Sequence, residues 1–255
     1  FLFRDRPALR VSSEDVNLLT SGFMQVHGTA KTIWSKYRGL RWFMFSLLWS
    51  PEAGAGVVQS IAVTFFTVVM RFSGLDIAKT SLVLQAGNIA GSFFSKVAVA
   101  KVNPLNSYRM ALLLVAVSVG TGALYLDGPE KRDSVFGFAA WWGFAMGWTY
   151  PSQRVLLCTL IPKGQETEMM GLFLFTGQIL GWLPPLIFTI MNESGVDLRW
   201  GLGLIAFFCT LAVICTLPMG SYQEAVGSAA RESNAQRERA LAAASLPGSK
   251  PTPSE

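Results

Sequence analysis

Residues 147–173 read GWTYPSQRVLLCTLIPKGQETEMMGLF, and the fold turns on how that stretch is taken. It begins inside an apolar run, yet Pro151, Gln153 and Arg154 fall within four residues of one another. It then leaves the run through a short polar turn and at once enters a second apolar run. A soluble domain would hide such a segment in its core. In a bilayer, Arg154 is tolerated only if it is paired, hydrated or able to reach the interface along its flexible stem.

Composition decides between the two solvents. Hydrophobic residues make up 51% of the chain and charged residues only 15%, and mean hydropathy is positive. The apolar residues are gathered into blocks rather than spread evenly. Six blocks reach the ~20 residues that a bilayer-spanning helix needs: about 41–70, 80–100, 108–126, 135–161, 169–191 and 198–218. The expected fold is an all-α membrane protein whose six transmembrane helices occupy residues 41–218. Residues 1–40 read as a basic cytoplasmic linker with a juxtamembrane helix. Residues 219–255 read as a disordered cytoplasmic tail with a nascent helix around 223–244.

An even number of spans puts both ends of the segment on one side. Of the 21 Lys and Arg residues, sixteen then fall on that side and five on the other. Excess Lys and Arg mark the cytoplasmic face, so both ends are expected there. The formal charge of +5 sits at the ends of apolar blocks and not on one face, which argues against nucleic acid as a partner. Membrane lipid is the expected surrounding. Cys158, Cys209 and Cys215 read as small buried hydrophobes and His27 has no ligand-type neighbour, so no metal or cofactor is expected. There is no GxxxxGK[ST], HExxH or CxxC motif, no arginine-studded voltage sensor and no TVGYG-like filter. An enzyme or a channel of those kinds is not expected.

Two spans carry a proline followed by a polar residue: Pro51 with Glu52 in the first, and Pro151 with Gln153 and Arg154 in the fourth. They are the leading members of two successive three-helix units. Interrupted helices at matching positions of a repeat point to a transporter binding site. Glu52 lies roughly 17 Å from the cytoplasmic edge, near the middle of a ~30 Å core. It carries a proton or balances a substrate ammonium group, or else a local kink at Ser50-Pro51 admits water that solvates it. Arg154 lies roughly 10 Å deep from the same side and either snorkels or pairs with Glu52. Gln59, Gln85, Asn88, Gln153 and Gln178 add hydrogen-bonding capacity within the spans. The Gly87-xxx-Gly91 and Gly177-xxx-Gly181 pairs are read as packing surfaces.

Several stretches together resemble a known family: FLFRDRP at 1–7, GF at 22–23, KTIWSKYRGLRWF at 31–43, RVLLCTLIPKGQETEMMGLF from Arg154, and GQILGWLPPLIF from Gly177. They are similar to the vacuole-effluxer, or autophagy-related protein 22-like, branch of the major facilitator superfamily. The resemblance implies that the six spans are the C-terminal half of a twelve-span transporter. The N-terminal six-helix half would be its partner, joined through the basic linker. It further implies alternating access, amino acids as the solute moved from vacuole to cytosol, and a vacuolar location. Glu52 and Arg154 would then lie on cavity-side helices. Tyr150 stands where the family has glutamine, Gln178 where it often has lysine, and KVAVAKVNPLNS at 96–107 lacks the acidic and arginine core of the superfamily's gating loop. Those departures leave two alternatives open: a transport-inactive membrane scaffold, or a proton-coupled exporter of another small solute.

Overall fold

A computed structural model describes residues 37–50, 57–161 and 166–228, together with single positions 34, 230, 231, 234 and 238. Every regular element among the described residues is helical. In chain order these are α1 (Arg38–Trp49), α2 (Val57–Val68), α3 (Gly74–Val102), α4 (Pro104–Tyr125), α5 (Arg132–Leu160), α6 (Glu166–Ile179), α7 (Leu183–Glu193) and α8 (Trp200–Thr216). Short 3-10 turns at Pro129–Lys131 and Leu217–Met219 precede α5 and follow α8.

Four segments are long and apolar enough to cross a membrane: Gly74–Val102, Pro104–Tyr125, Met169–Glu193 and Trp200–Met219. The helices α1 and α2 have 12 residues each, roughly 18 Å apiece, and neither crosses a ~30 Å core alone. The break between them falls where Ser50-Pro51-Glu52 led one to expect it. Residues 51–56, Glu52 among them, lie outside the described residues.

The fourth span departs from expectation. Helix α5 runs unbroken for 29 residues with Pro151 inside it. Proline has no N–H, so the carbonyl of Gly147, four residues earlier, loses its helical donor. The hydroxyl of Ser92 on α3, whose one hydrogen is shared with the Asn88 carbonyl at 2.9 Å, reaches that carbonyl at 3.2 Å and partly takes the missing bond's place. The interruption instead appears in the fifth span, between α6 and α7 at residues 180–182, just ahead of Pro184 and Pro185.

The most extensive contact is between α3 and α5, which run parallel. Their register is constant along the pair. Asp76 pairs with Arg132, 56 positions on, Ser92 with Gly147, 55 on, and Ser95 with Ser152, 57 on. Helix α4 lies antiparallel to α8, with Arg109 near the start of one donating to Thr216 at the end of the other. Apolar side chains fill the bundle in two main layers. One gathers Leu40, Phe43, Tyr108, Leu156 and Phe173 near the ends of α5 and α8. The other gathers Phe65, Phe66, Val119, Trp142 and Ile205 toward the opposite end.

The packed chain continues past α8. Residues 222–228 are helical, capped by reciprocal bonds between Ser221 and Glu224. Ala225 there is buried against Gly39 at the start of α1 and Leu160 at the end of α5. The onset of the tail expected at 219 therefore includes an ordered helical turn.

Candidate functional site

The polar segment of α5 is held by its two neighbours. Toward α3, glycines on both helices clear the middle of the contact of side chains. A Cβ added at Gly87 or Gly91 would fall on the carbonyl oxygen of Ala140 or Phe144. One added at Gly143 or Gly147 would fall on that of Leu84 or Asn88. The expected packing role of Gly87-xxx-Gly91 thus holds, and its complement is Gly143-xxx-Gly147 on the partner helix. Four glycines allow backbone to meet backbone. At the outer end of the pair, Asp76 accepts from Arg132 at 2.8 Å, and Arg132 also lies over the Phe72 ring.

One turn further along, a chain of buried hydroxyls joins α3, α4 and α5. Trp148 Nε1 donates to Ser107 Oγ at 2.9 Å. Ser107 bonds Ser152 at 2.9 Å, and Ser152 bonds Ser95 at 3.1 Å. The indole has a donor and no acceptor, so Ser107 accepts from it and keeps a lone pair and its own hydrogen for Ser152. A fully satisfied network of this kind fixes one arrangement of three helices. Individually these serines carried no signal in the sequence, because nothing in it pairs residues 45 and 57 positions apart.

Beside this network lie the candidate residues themselves. Gln153 is buried to 3% exposure, and its Nε2 has no hydrogen-bond partner. Arg154, the next residue, is exposed and makes no ion pair or hydrogen bond among the described residues. Tyr150 is half-buried one turn earlier. Gln178 is exposed on α6, and Gln59 belongs to α2. On α3, Gln85 is exposed and Asn88 half-buried against Gly147. The structure thus brings Tyr150, Gln153 and Arg154 together on one stretch of α5, and leaves Gln178 on a separate helix. The proposed Glu52–Arg154 pair involves a residue outside those described.

Arg109 also merits a place in the account, since the sequence did not single it out as structural. Its Nε donates to Thr216 Oγ1 at 3.0 Å, and its Nη2 donates to the Thr216 carbonyl. A cation on the last carbonyls of α8 complements the negative end of that helix. Asn103, Asn106, Arg109 and residues 220–223 border a cleft of about 440 Å³ at this end. Among the described residues, no three His, Cys, Asp or Glu side chains gather to hold a metal.

Membrane-length apolar helices, knitted by glycine and carrying buried hydroxyls and amides within them, define a helical integral membrane protein with a polar interior. The family model of the vacuole effluxer Atg22-like proteins matches residues 1–224, and the chain belongs to that family. It is 25% identical over 186 residues to autophagy-related protein 22 of Yarrowia lipolytica, covering 71% of this chain and 30% of that protein. The corresponding protein of Pichia angusta is 23% identical over 226 residues, covering 82% of this chain and 39% of its own length. That of Cryptococcus neoformans var. neoformans is 21% identical over 190 residues, covering 69% and 32%. The chain therefore spans about a third of the length of these relatives. No solved structure matches it.

Proposed function

We propose that the chain forms the C-terminal, six-span half of a secondary transporter in the vacuolar membrane, one that releases amino acids to the cytosol by alternating access. Family membership over residues 1–224 is the observation that carries this reading. The helices supply a physical rationale. Joined end to end, α1 with α2 and α6 with α7 each make one interrupted span, which with α3, α4, α5 and α8 gives six. Exposed polar groups such as Gln85 and Arg154 have no favourable place against lipid and suit a water-filled cavity shared with an N-terminal six-helix half. In such a cavity Arg154, Glu52, Tyr150, Gln153, Gln59 and Gln178 would line the path of solute or proton. The excess of Lys and Arg on one side supports a cytosolic position for both ends of the segment.

Amino-acid release from isolated vacuoles, with and without the full-length gene, tests the reading. Slower release without the gene supports it. Unchanged release favours a scaffold or another solute, and proton-coupled export of another solute would then show as solute-dependent alkalinisation of the vacuole.

A further inference from the structure

The two interrupted spans are neighbours, and their interruptions lie at one level. Phe43 on α1 stacks on Phe173 on α6 with ring centroids 6.3 Å apart and planes 8° apart. Ser50, where α1 ends, lies seven residues beyond Phe43, and Leu180, where α6 ends, lies seven beyond Phe173. Both helices start at the end of the bundle where α5 stops, so each break lies roughly 10 Å further along from the stacked rings. Past the breaks the spans remain together. Ile61 of α2 and Phe188 of α7 both lie against Gly201. Measured from the starts of α1 and α6, the common level is roughly 18–21 Å in, near the middle of a ~30 Å core.

Two hydrogen-bonding groups are left over at that level. Ser50 is 3% exposed and its Oγ has no partner. The Gly181 carbonyl would receive its helical donor from residue 184 or 185, and both are proline. Its neighbours adjust: Leu180 accepts from Leu183 at 3.0 Å and Trp182 from Leu186 at 3.2 Å. No donor for Gly181 is found among the described residues. Both groups are acceptors. They also sit at the carbonyl-bearing ends of α1 and α6, where the helix dipole is negative. Neither helix has a basic residue in its last turn. The sequence has no Lys or Arg between Arg41 and Arg71, nor between Lys163 and Arg199.

We propose that the paired breaks form a mid-membrane site for a cationic hydrogen-bond donor, held by the Gly181 carbonyl and the Ser50 hydroxyl. The ligand is the ammonium group of the transported solute or a coupling cation. The site rests on the transporter reading above and uses none of residues 51–56. An uncompensated acceptor in an apolar medium is costly, and discontinuous helices in membrane transporters offer such carbonyls to cations. The prolines then have a definite role: they keep the Gly181 carbonyl free.

The test is thermal stability of the purified full-length protein in detergent, with L-leucine, N-acetyl-L-leucine, sodium chloride or choline chloride. Wild-type protein is expected to be stabilised by L-leucine or by sodium, and by neither N-acetyl-L-leucine nor choline. Stabilisation by L-leucine in choline medium identifies the ammonium group; stabilisation only by sodium identifies the coupling cation. Pro185→Ala returns an N–H to the Gly181 carbonyl. That variant should melt no lower than wild type without ligand, yet lose the ligand-dependent increment. Ser50→Ala should weaken apparent affinity about tenfold, the loss of roughly one hydrogen bond to a charged group. If both variants keep the wild-type increment, or if wild type responds to none of the four solutes, the site is refuted. Vacuolar release decides the transport reading separately, so the two failures are distinguishable.

Discussion

At the scale of single residues, glycine and serine determine how close α3 and α5 come. A methyl at Gly91 or Gly147 meets a backbone carbonyl of the facing helix, which has no rotamer to move. Gly91→Ala and Gly147→Ala should each destabilise by about 1–3 kcal/mol, the usual range for overpacking. A melting curve in detergent reads the effect. Gly137 supplies the control, because nothing lies within 4 Å of its added Cβ. Gly137→Ala should leave stability unchanged or raise it by about 0.5–1 kcal/mol through helix propensity. The same helix pair offers a rescue experiment. Ser92→Ala removes the donor to the Gly147 carbonyl and should cost about 1–3 kcal/mol. Pro151→Ala restores a backbone N–H to that carbonyl, so the double variant should recover most of the loss. If Ser92→Ala is equally harmful with and without Pro151, the hydroxyl does not stand in for the missing backbone bond.

At the scale of elements, the sequence placed the helices well and their interruptions less well. Apolar block length located α3, α4, α5 and α8 within a few residues, because a bilayer demands long runs of uniform character. The break after Trp49 was legible from Ser50-Pro51. Pro151 misled for a physical reason: a proline breaks a helix only if nothing supplies the lost bond, and Ser92 lies 59 residues away in sequence. Conversely, Pro184-Pro185 marks the break in the fifth span, because two adjacent prolines leave one carbonyl without a donor at both helical positions. The serine network could not be seen without the parallel register of α3 and α5. Of the candidate residues, Gln153 and Arg154 stand out in the sequence as polar groups within an apolar run and Tyr150 enters only through the family resemblance, while the orphaned amide of Gln153 needed the packing.

Between α4 and α5 a small electrostatic clasp lies outside the spans. Lys131 bonds Asp127 at 2.9 Å and the Tyr125 carbonyl at 2.8 Å, and its ammonium also lies over the Tyr125 ring. The hydrogen bond from Lys131 holds the Asp127 carboxyl below the usual carboxylate range. A carboxyl depressed on folding contributes above its ordinary pKa of ~3.9 and loses that contribution as pH falls through the lower folded value. Amide protection factors (exchange rates corrected for their intrinsic pH dependence) at residues 126–128, 130 and 131 should therefore hold down to about pH 4 and fall only below it. In Asp127→Asn the same amides should have lower protection factors at neutral pH, with little further change in protection on acidification.

At the scale of the whole molecule, the question is whether Arg154 belongs to the aqueous path or only to the surface. Its helix runs with the N-terminus away from the end where α5 stops, and Cβ bonds tilt toward a helix's N-terminus. From position 154, six residues before Leu160, the Cα–Cβ bond thus leans toward the level of Tyr150, and the side chain beyond it is exposed. Reaching the near interface would require it to bend against that tilt. An arginine so placed in a membrane protein calls for an anion or for water, and Glu52 follows Ser50 and Pro51 at the end of α1. If the two charges neutralise one another, removing either strands its partner, and removing both costs less than removing one. Glu52→Gln and Arg154→Gln should each lower amino-acid release from vacuoles at equal expression, by about tenfold or more given a stranded-charge penalty of several kcal/mol. Glu52→Gln combined with Arg154→Gln should recover part of the folded yield lost in each single variant, even if transport stays low because a charge is needed for it. Additive losses in yield would mean that the two residues do not form a pair. In that case Arg154, exposed on α5, would be left to meet water, the interface or the anionic group of a solute.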